Sequence, residues 1–229
     1  MISIIIPTYN ESKIIGGILD RLNKMVSPSD EIIVVDGLSE DHTEDIVRRY
    51  PRVKLLLSPK RGRAIQMNLG ASQAQNRYVF FLHADTLIDT RSFELLKQEI
   101  NSKKITWGWF PIKLSSNKLI FRLIEKGANL RARITRTPLG DYGIFVEKEL
   151  FQKIGGFPEI PIMEDIEFVK RIKRAYPIGV EIKSPIQASA RRFEKYGIIK
   201  TFLVMWTLRT LYHLGVSPSR LINYYKDIR

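Results

Sequence analysis

A chain of 229 residues with 44% hydrophobic content is long enough for one large α/β domain and too apolar to be disordered. It contains no cysteine, which excludes disulfides, thiolate nucleophiles and Cys-ligated zinc or iron–sulfur sites. The net charge of +13 is uneven: residues 170–229 carry 13 Lys/Arg against Glu181, Glu194 and Asp227, a surplus that suits a polyanionic partner or simply a soluble basic surface.

In chain order, Ile2–Ile6 predicts a buried strand stopped by Pro7. It follows no basic n-region or cleavage site, so no signal peptide is expected. Asn10 is placed to cap a helix whose apolar stripe is Ile14, Ile15, Ile18, Leu19 and Leu22. Glu31–Asp36 predicts a second strand ending in a carboxylate, residues 43–49 a helix, and Val53–Leu57 a third strand. This alternation predicts a doubly wound, mostly parallel sheet. The basic loop Ser58–Arg63 opens a helix through Gln66, Asn68 and Ala71, and arginines beside a helix N-terminus form a ready anion site. No Walker A sequence is present.

Tyr78–Leu82 then predicts a buried strand that ends abruptly in His83-Ala84-Asp85. If the strand continued, His83 and Asp85 would point the same way and could hold one divalent cation; otherwise they form an ordinary polar strand end. A helix over residues 92–100 follows, then a strand over 105–114 and a basic helix over 118–133. Trp107 and Trp109 share one face of that strand, as a platform for a ligand or as core. A strand over 142–146, a helix over 151–157 stopped by paired glycines, a helix through Ile166, Val169 and Ile172, and strands over 180–183 and 186–190 complete the body. Gly140-Asp141 reads either as pocket lining or as a plain turn. The tail, 197–214 and 218–225, predicts two helices. The first, with Ile198, Phe202, Met205, Trp206 and Leu208 beside Lys200 and Arg209, either docks on the core or lies on an anionic membrane. No window of about 20 residues is continuously apolar, so no transmembrane helix is expected. The domain organisation expected is a body over 1–195 with a helical appendage over 196–229, placed in the cytoplasm or attached to a membrane.

Several stations, taken in order, resemble the inverting family 2 glycosyltransferases of GT-A fold. They are IIIPTYNE at 4–11, VVDGLSEDHT at 34–43, RGRAIQMNLGA at 61–71, FLHADT at 81–86, GIFVEKELFQKIGGF at 143–157 and MED at 163–165. Within the family the chain is most similar to a small group of compact bacterial enzymes with LHADT and GDxGIFV segments. The resemblance implies a mostly parallel central sheet flanked by helices, and transfer of a sugar from a UDP or GDP donor to an acceptor hydroxyl. It further implies Mn²⁺ or Mg²⁺ as cofactor, a small-molecule or lipid-linked acceptor, and no specific nucleic-acid partner.

Carried over by resemblance, Pro7, Thr8, Tyr9 and Glu11 frame the base and ribose, and Asp36 reads the nucleobase. Arg63 and Arg192 add positive charge at the leaving group, with Gln66, His83, Ala84 and Asp85 on the same donor side. Asp85 is the metal ligand. His83 stands where the family often has the first Asp of DxD, and is a second ligand, a diphosphate partner or a structural residue. Asp165 is the candidate general base, with a helix-capping acid as its plainer reading; Glu164, Asp141 and Tyr142 line the acceptor side. Processive members carry QxxRW; the corresponding run here ends Arg192-Phe193 and lacks both Gln and Trp, against a polymer synthase. The competing readings are a sugar-1-phosphate nucleotidyltransferase, whose Gly-rich opening is replaced here by PTYNE, and a basic nucleic-acid- or membrane-binding module.

Overall fold

The computed structural model describes residues 1–102 and 105–225; Lys226, Asp227 and Arg229 of the basic tail lie outside them. Strand β1 (Ile2–Thr8) leads to α1 (Ser12–Met25), β2 (Glu31–Asp36), α2 (Thr43–Val47), β3 (Val53–Leu57), α3 (Arg63–Gln73), β4 (Tyr78–Phe81) and α4 (Thr90–Ser102). The central strands β1, β2 and β4 are short and buried, as expected for a sheet covered on both faces, while β3 at the edge is partly exposed. Strand order among the described residues is β3-β2-β1-β4, continued by β7 (Phe145–Glu147), β5 (Trp107–Trp109) and β8 (Val180–Glu181). β1, β2, β3 and β4 are mutually parallel, and β7 runs antiparallel to both β4 and β5.

The chain winds outward from β1 to β3 and then returns through α3 to the other side of β1. The strand order therefore reverses between β1 and β4, and the crevice beyond their carboxyl ends is where such sheets bind ligands. Thr8 sits opposite Asp36 in the β1–β2 register, and the amide of Leu82 donates to the Ile5 carbonyl at 3.0 Å. The loops after all three central strands thus start from one rigid edge.

Four local expectations are corrected. Asn10 does not cap α1: its backbone is left-handed, with φ 54°, and its side chain accepts from the Glu40 amide across the loop. Asp41 serves the helix starts instead, accepting the Ser12 amide at 3.1 Å and the Thr43 amide at 3.0 Å. The strand expected over 105–114 divides at Phe110-Pro111 into β5 and β6 (Ile112–Leu114), which belong to different sheets; β6 pairs with β9 (Ile186–Ala188). A proline has no amide to give a ladder, so the break falls there. Trp107 and Trp109 are core residues, not a platform: both are buried, their rings 5.5 Å apart, with the Trp107 indole donating to the Tyr176 carbonyl. Gly108 between them is required, because a Cβ would stand 2.1 Å from the Val180 carbonyl oxygen. The helix expected over 151–157 starts earlier, as α6 (Lys148–Lys153).

The remaining helices are α5 (Leu119–Thr135), α7 (Glu164–Ala175), α8 (Arg191–Tyr196), α9 (Ile198–His213) and α10 (Pro218–Tyr225). Helix α8 is tied to α5 by the ring contact Phe193–Phe121, with centroids 5.7 Å apart. A second small core joins α9 and α10 to the body: Leu208 and Leu221 pack with Ile162, Met163 and Ile166. The opposite face of α9 presents Ile199, Phe202, Leu203 and Trp206 to solvent, Trp206 being 55% exposed. No helix among the described residues is long and apolar enough to cross a membrane.

Candidate active site

The donor-side residues lie around the carboxyl ends of β1, β2 and β4, but they divide into two groups. Thr8, Asp36 and Gln66 are buried and spent on shaping the loops. Asp36, 2% exposed, accepts from the Thr8 hydroxyl at 3.2 Å and from the Ser39 amide and hydroxyl at 2.8 and 2.6 Å. Gln66 donates from Nε2 to the carbonyls of Thr8 and Val35 at 2.7 and 2.8 Å, clamping the ends of β1 and β2 together. Asp36 was expected to read a base, but its carboxylate is engaged by its own loop. Pro7 is half-buried at the end of β1, Glu11 stands 3.9 Å from the Arg191 guanidinium, and Arg61 stacks over the Tyr9 ring at 3.7 Å from its centroid. This cation–π pair joins the loop after β1 to the loop before α3, and no motif in the sequence points to this pairing of Arg61.

Strand β4 ends at Phe81, and residues 83–86 form a turn closed by the Thr86 amide on the His83 carbonyl at 3.0 Å. His83 and Asp85 therefore sit on a turn and not on an alternating strand, with Ala84 buried between them. The His83 ring lies against Gly140, where a Cβ would come within 3.0 Å of Nε2 and 3.5 Å of the Asp165 carboxylate; only glycine permits this approach. The Nε2 atom is buried without a hydrogen-bond partner. Burial, and then the Arg63 and Arg192 guanidiniums, push the imidazole down to about 3, so it is neutral at physiological pH.

The acceptor-side residues come from the Gly140–Tyr142 turn and the start of α7. Met163, immediately before α7, holds a left-handed backbone with φ 68° although it carries a side chain. That conformation turns Glu164 and Asp165 into the crevice. Asp165 accepts the Gly140 amide at 2.7 Å through Oδ2 and the Ile166 amide at 2.8 Å through Oδ1. Glu164 is buried and paired with Arg63 at 3.2 Å, so it links α7 to the start of α3 and orients a cation of the donor side. Burial and then the Asp165 charge push the Asp141 carboxyl up to about 6, with Asp85 adding to the same effect.

Two residues that the sequence did not single out complete the group. Arg131 on α5 and Arg209 on α9 both act on Asp141 and Tyr142, and they also act on each other. No sequence signal connects positions 78 residues apart on separate helices; only the docking of Leu208 against Ile162, Met163 and Ile166 brings them together. The groove of about 480 Å³ lined by residues such as Arg122, Glu125, Glu181 and Lys183 contains none of these site residues.

Among the described residues, no group of three or more His, Asp or Glu side chains is arranged to hold a cation unaided. Asp85 and His83 offer one half-buried carboxylate and one neutral, unpartnered nitrogen. That donor set fits a hard divalent ion whose coordination is completed by phosphate oxygens.

Asp141 supplies a test that needs no ligand. Its folded pKa lies above the unfolded value of 3.8, so ionising it costs stability as pH rises from about 4 to about 6. His83 has the opposite sign: its folded pKa lies below 6.5, so its contribution is lost as pH falls from about 6.5 toward 3. In metal-free, nucleotide-free protein, Asp141→Asn is expected to be more stable than wild type at pH 7, by on the order of 2 kcal/mol. The two stabilities should converge near pH 4. Parallel unfolding curves across that range would remove the electrostatic burden assigned to Asp141.

Comparison with known proteins accounts for this arrangement. The model of Glycosyl transferase family 2 matches residues 3–152. An uncharacterized glycosyltransferase of Haemophilus influenzae is 25% identical over 183 residues, covering 75% of this chain and 62% of that protein. Staphylococcus aureus TarS 1-349 in complex with UDP-GlcNAc superposes with a TM-score of 0.69 at 22% identity, over 82% of this chain and 58% of that one. The mannosyltransferase PcManGT from Pyrobaculum calidifontis, in complex with GDP-Man and Mn²⁺, gives 0.62 at 20% identity, over 98% of this chain and 68% of that one. The chain thus spans about three fifths of the length of the first two, and the expected fold, GT-A with a mostly parallel central sheet flanked by helices, is the one observed.

Proposed function

Since the chain belongs to glycosyl transferase family 2, we propose that it is an inverting, metal-assisted transferase that moves a sugar from UDP or GDP to an acceptor hydroxyl, with Asp165 as general base. The observation that carries this reading is the meeting of two sets of residues at one crevice. The Asp165 carboxylate is held by backbone amides against the same Gly140 that contacts His83, and His83 lies beside Arg63 and Arg192.

In the proposed reaction the acceptor oxygen attacks the anomeric carbon from the face opposite the diphosphate. The sugar–phosphate bond breaks, its electron pair leaves on the diphosphate, and the hydroxyl proton passes to Asp165. Arg63, oriented by Glu164, and Arg192 face the charge that accumulates on the leaving group. Asp85 and the neutral His83 are the protein ligands assigned to the divalent ion. Mn²⁺ or Mg²⁺ bound there would offset part of the same leaving-group charge. Pro7, Thr8, Tyr9 and Glu11 frame the nucleoside, with Arg61 stacked on Tyr9. The LHADT and GDYGIFV segments support a reading within the compact bacterial group that the chain resembles.

A lipid-linked acceptor is favoured over a soluble one by the solvent-facing Ile199, Phe202, Leu203 and Trp206 of α9, with Lys200 and Lys195 nearby in the chain. The deciding experiment supplies UDP- and GDP-sugars with Mn²⁺ and measures the nucleoside diphosphate set free. Release from one of the two is expected. Release of pyrophosphate from a nucleoside triphosphate plus a sugar phosphate would instead make the protein a nucleotidyltransferase.

A further inference from the structure

Beside Asp165 lies a set of hydrogen-bond donors that the transfer reaction does not use. The Tyr142 side chain is only 1% exposed, and its hydroxyl has no hydrogen-bond partner among the described residues. The Arg131 guanidinium adjoins it; Nη1 donates to the Thr137 carbonyl at 2.8 Å, but Nη2 is buried without an aligned partner. Arg209 on α9 acts on both Tyr142 and Arg131, with Nε on the Met205 carbonyl of its own helix at 3.3 Å. A buried donor left unmade is costly, and two guanidiniums brought together repel each other unless an anion lies between them.

The carboxylates nearby answer this only in part. Asp165 accepts two backbone amides, and Asp141, pushed up to about 6 by burial and then by the Asp165 charge, acts on both Arg131 and Arg209. Two guanidiniums thus share one carboxylate that is itself crowded by Asp165.

We propose that Arg131, Arg209 and Tyr142 form a subsite for a phosphate group on the acceptor, which sets the acceptor hydroxyl beside Asp165. This rests on the transferase reading above and narrows its substrate class to phosphate esters. Two guanidiniums match the double charge of a phosphate monoester, and the three donor groups match its three terminal oxygens. The phosphate enters on the side of the half-buried Arg209.

The test titrates glycerol 1-phosphate, and glycerol as control, into the full chain saturated with Mn²⁺ and whichever nucleoside diphosphate raises its melting temperature. Wild type binds glycerol 1-phosphate and not glycerol. Arg209→Gln weakens that binding at least tenfold, Tyr142→Phe weakens it less, and Arg209→Lys recovers part of the loss. The nucleotide-induced shift in melting temperature stays unchanged in all three variants. Dihexanoyl phosphatidic acid, used as a monomer, identifies the source: at least tenfold tighter Arg209-dependent binding means a lipid phosphate, and equal binding means a soluble one.

Equal glycerol 1-phosphate affinity in wild type and Arg209→Gln, or no binding by wild type, overturns the subsite. If neither nucleotide shifts the melting temperature, the titration is run without nucleotide. Arg209-dependent phosphate binding would then uphold the anion site while the transferase reading falls. A nucleotide shift without phosphate binding would do the reverse.

Discussion

Asp165→Asn is expected to lower sugar transfer by about 10²–10⁴-fold while leaving nucleoside diphosphate binding unchanged, the range associated with loss of a positioned general base. The substitution preserves size and leaves an oxygen able to accept the Gly140 amide, which Oδ2 accepts at 2.7 Å in the wild type. What it removes is the basic oxygen that would take the acceptor proton. Because Asp165 belongs to α7 and the nucleoside side is built from β1 and β2, the two readouts separate. Transfer at the normal rate by the Asn protein would end the assignment and return Asp165 to the role of a helix-start acid. Loss of nucleotide binding along with transfer would mean that the substitution had collapsed the crevice.

Asp85→Ala should abolish the Mn²⁺-dependent part of nucleotide binding. A ligand present at about 100 times its dissociation constant stabilises the folded state by about 2.7 kcal/mol. For a domain of this size that corresponds to roughly 5–11 °C in melting temperature. Wild type is expected to show such a shift with Mn²⁺ and one of UDP or GDP, and Asp85→Ala to show only the metal-independent remainder. The turn geometry makes the expectation specific: Asp85 offers its carboxylate from a tight turn after β4, so no neighbouring acid can substitute for it without a change of backbone. A full shift in the variant would place the metal elsewhere.

The part of the molecule before residue 86 was largely legible in the sequence. Strands such as Ile2–Thr8 and Glu31–Asp36 are buried on both faces, so their apolar runs leave no competing assignment. Beyond that point, legibility failed where tertiary contacts decide. Trp107 and Trp109 left a platform open beside the commoner core reading, and the body that covers them comes from distant segments, including Tyr176. Asp36, Gln66 and Glu164 stand at strand and helix ends around the crevice. A polar side chain at a strand or helix end reads the same whether it meets a ligand or fastens its own loop, and the structure engages all three internally. Arg131 and Arg209 were invisible for a different reason: each sits in a basic or apolar helix like many others, and their common target exists only once α9 has docked.

That docking has a consequence for how the molecule comes to work. Met163 keeps its left-handed backbone, a conformation costing on the order of 1–3 kcal/mol, while packed against Leu208 and Leu221. Translation delivers strands β1 to β4 first and those two leucines more than a hundred residues later. A growing chain can therefore form the edge of the sheet well before Leu208 and Leu221 pack against Met163. On the proposed reading, competence for transfer arrives as a late event of synthesis, when the C-terminal helices close over the turn that precedes α7.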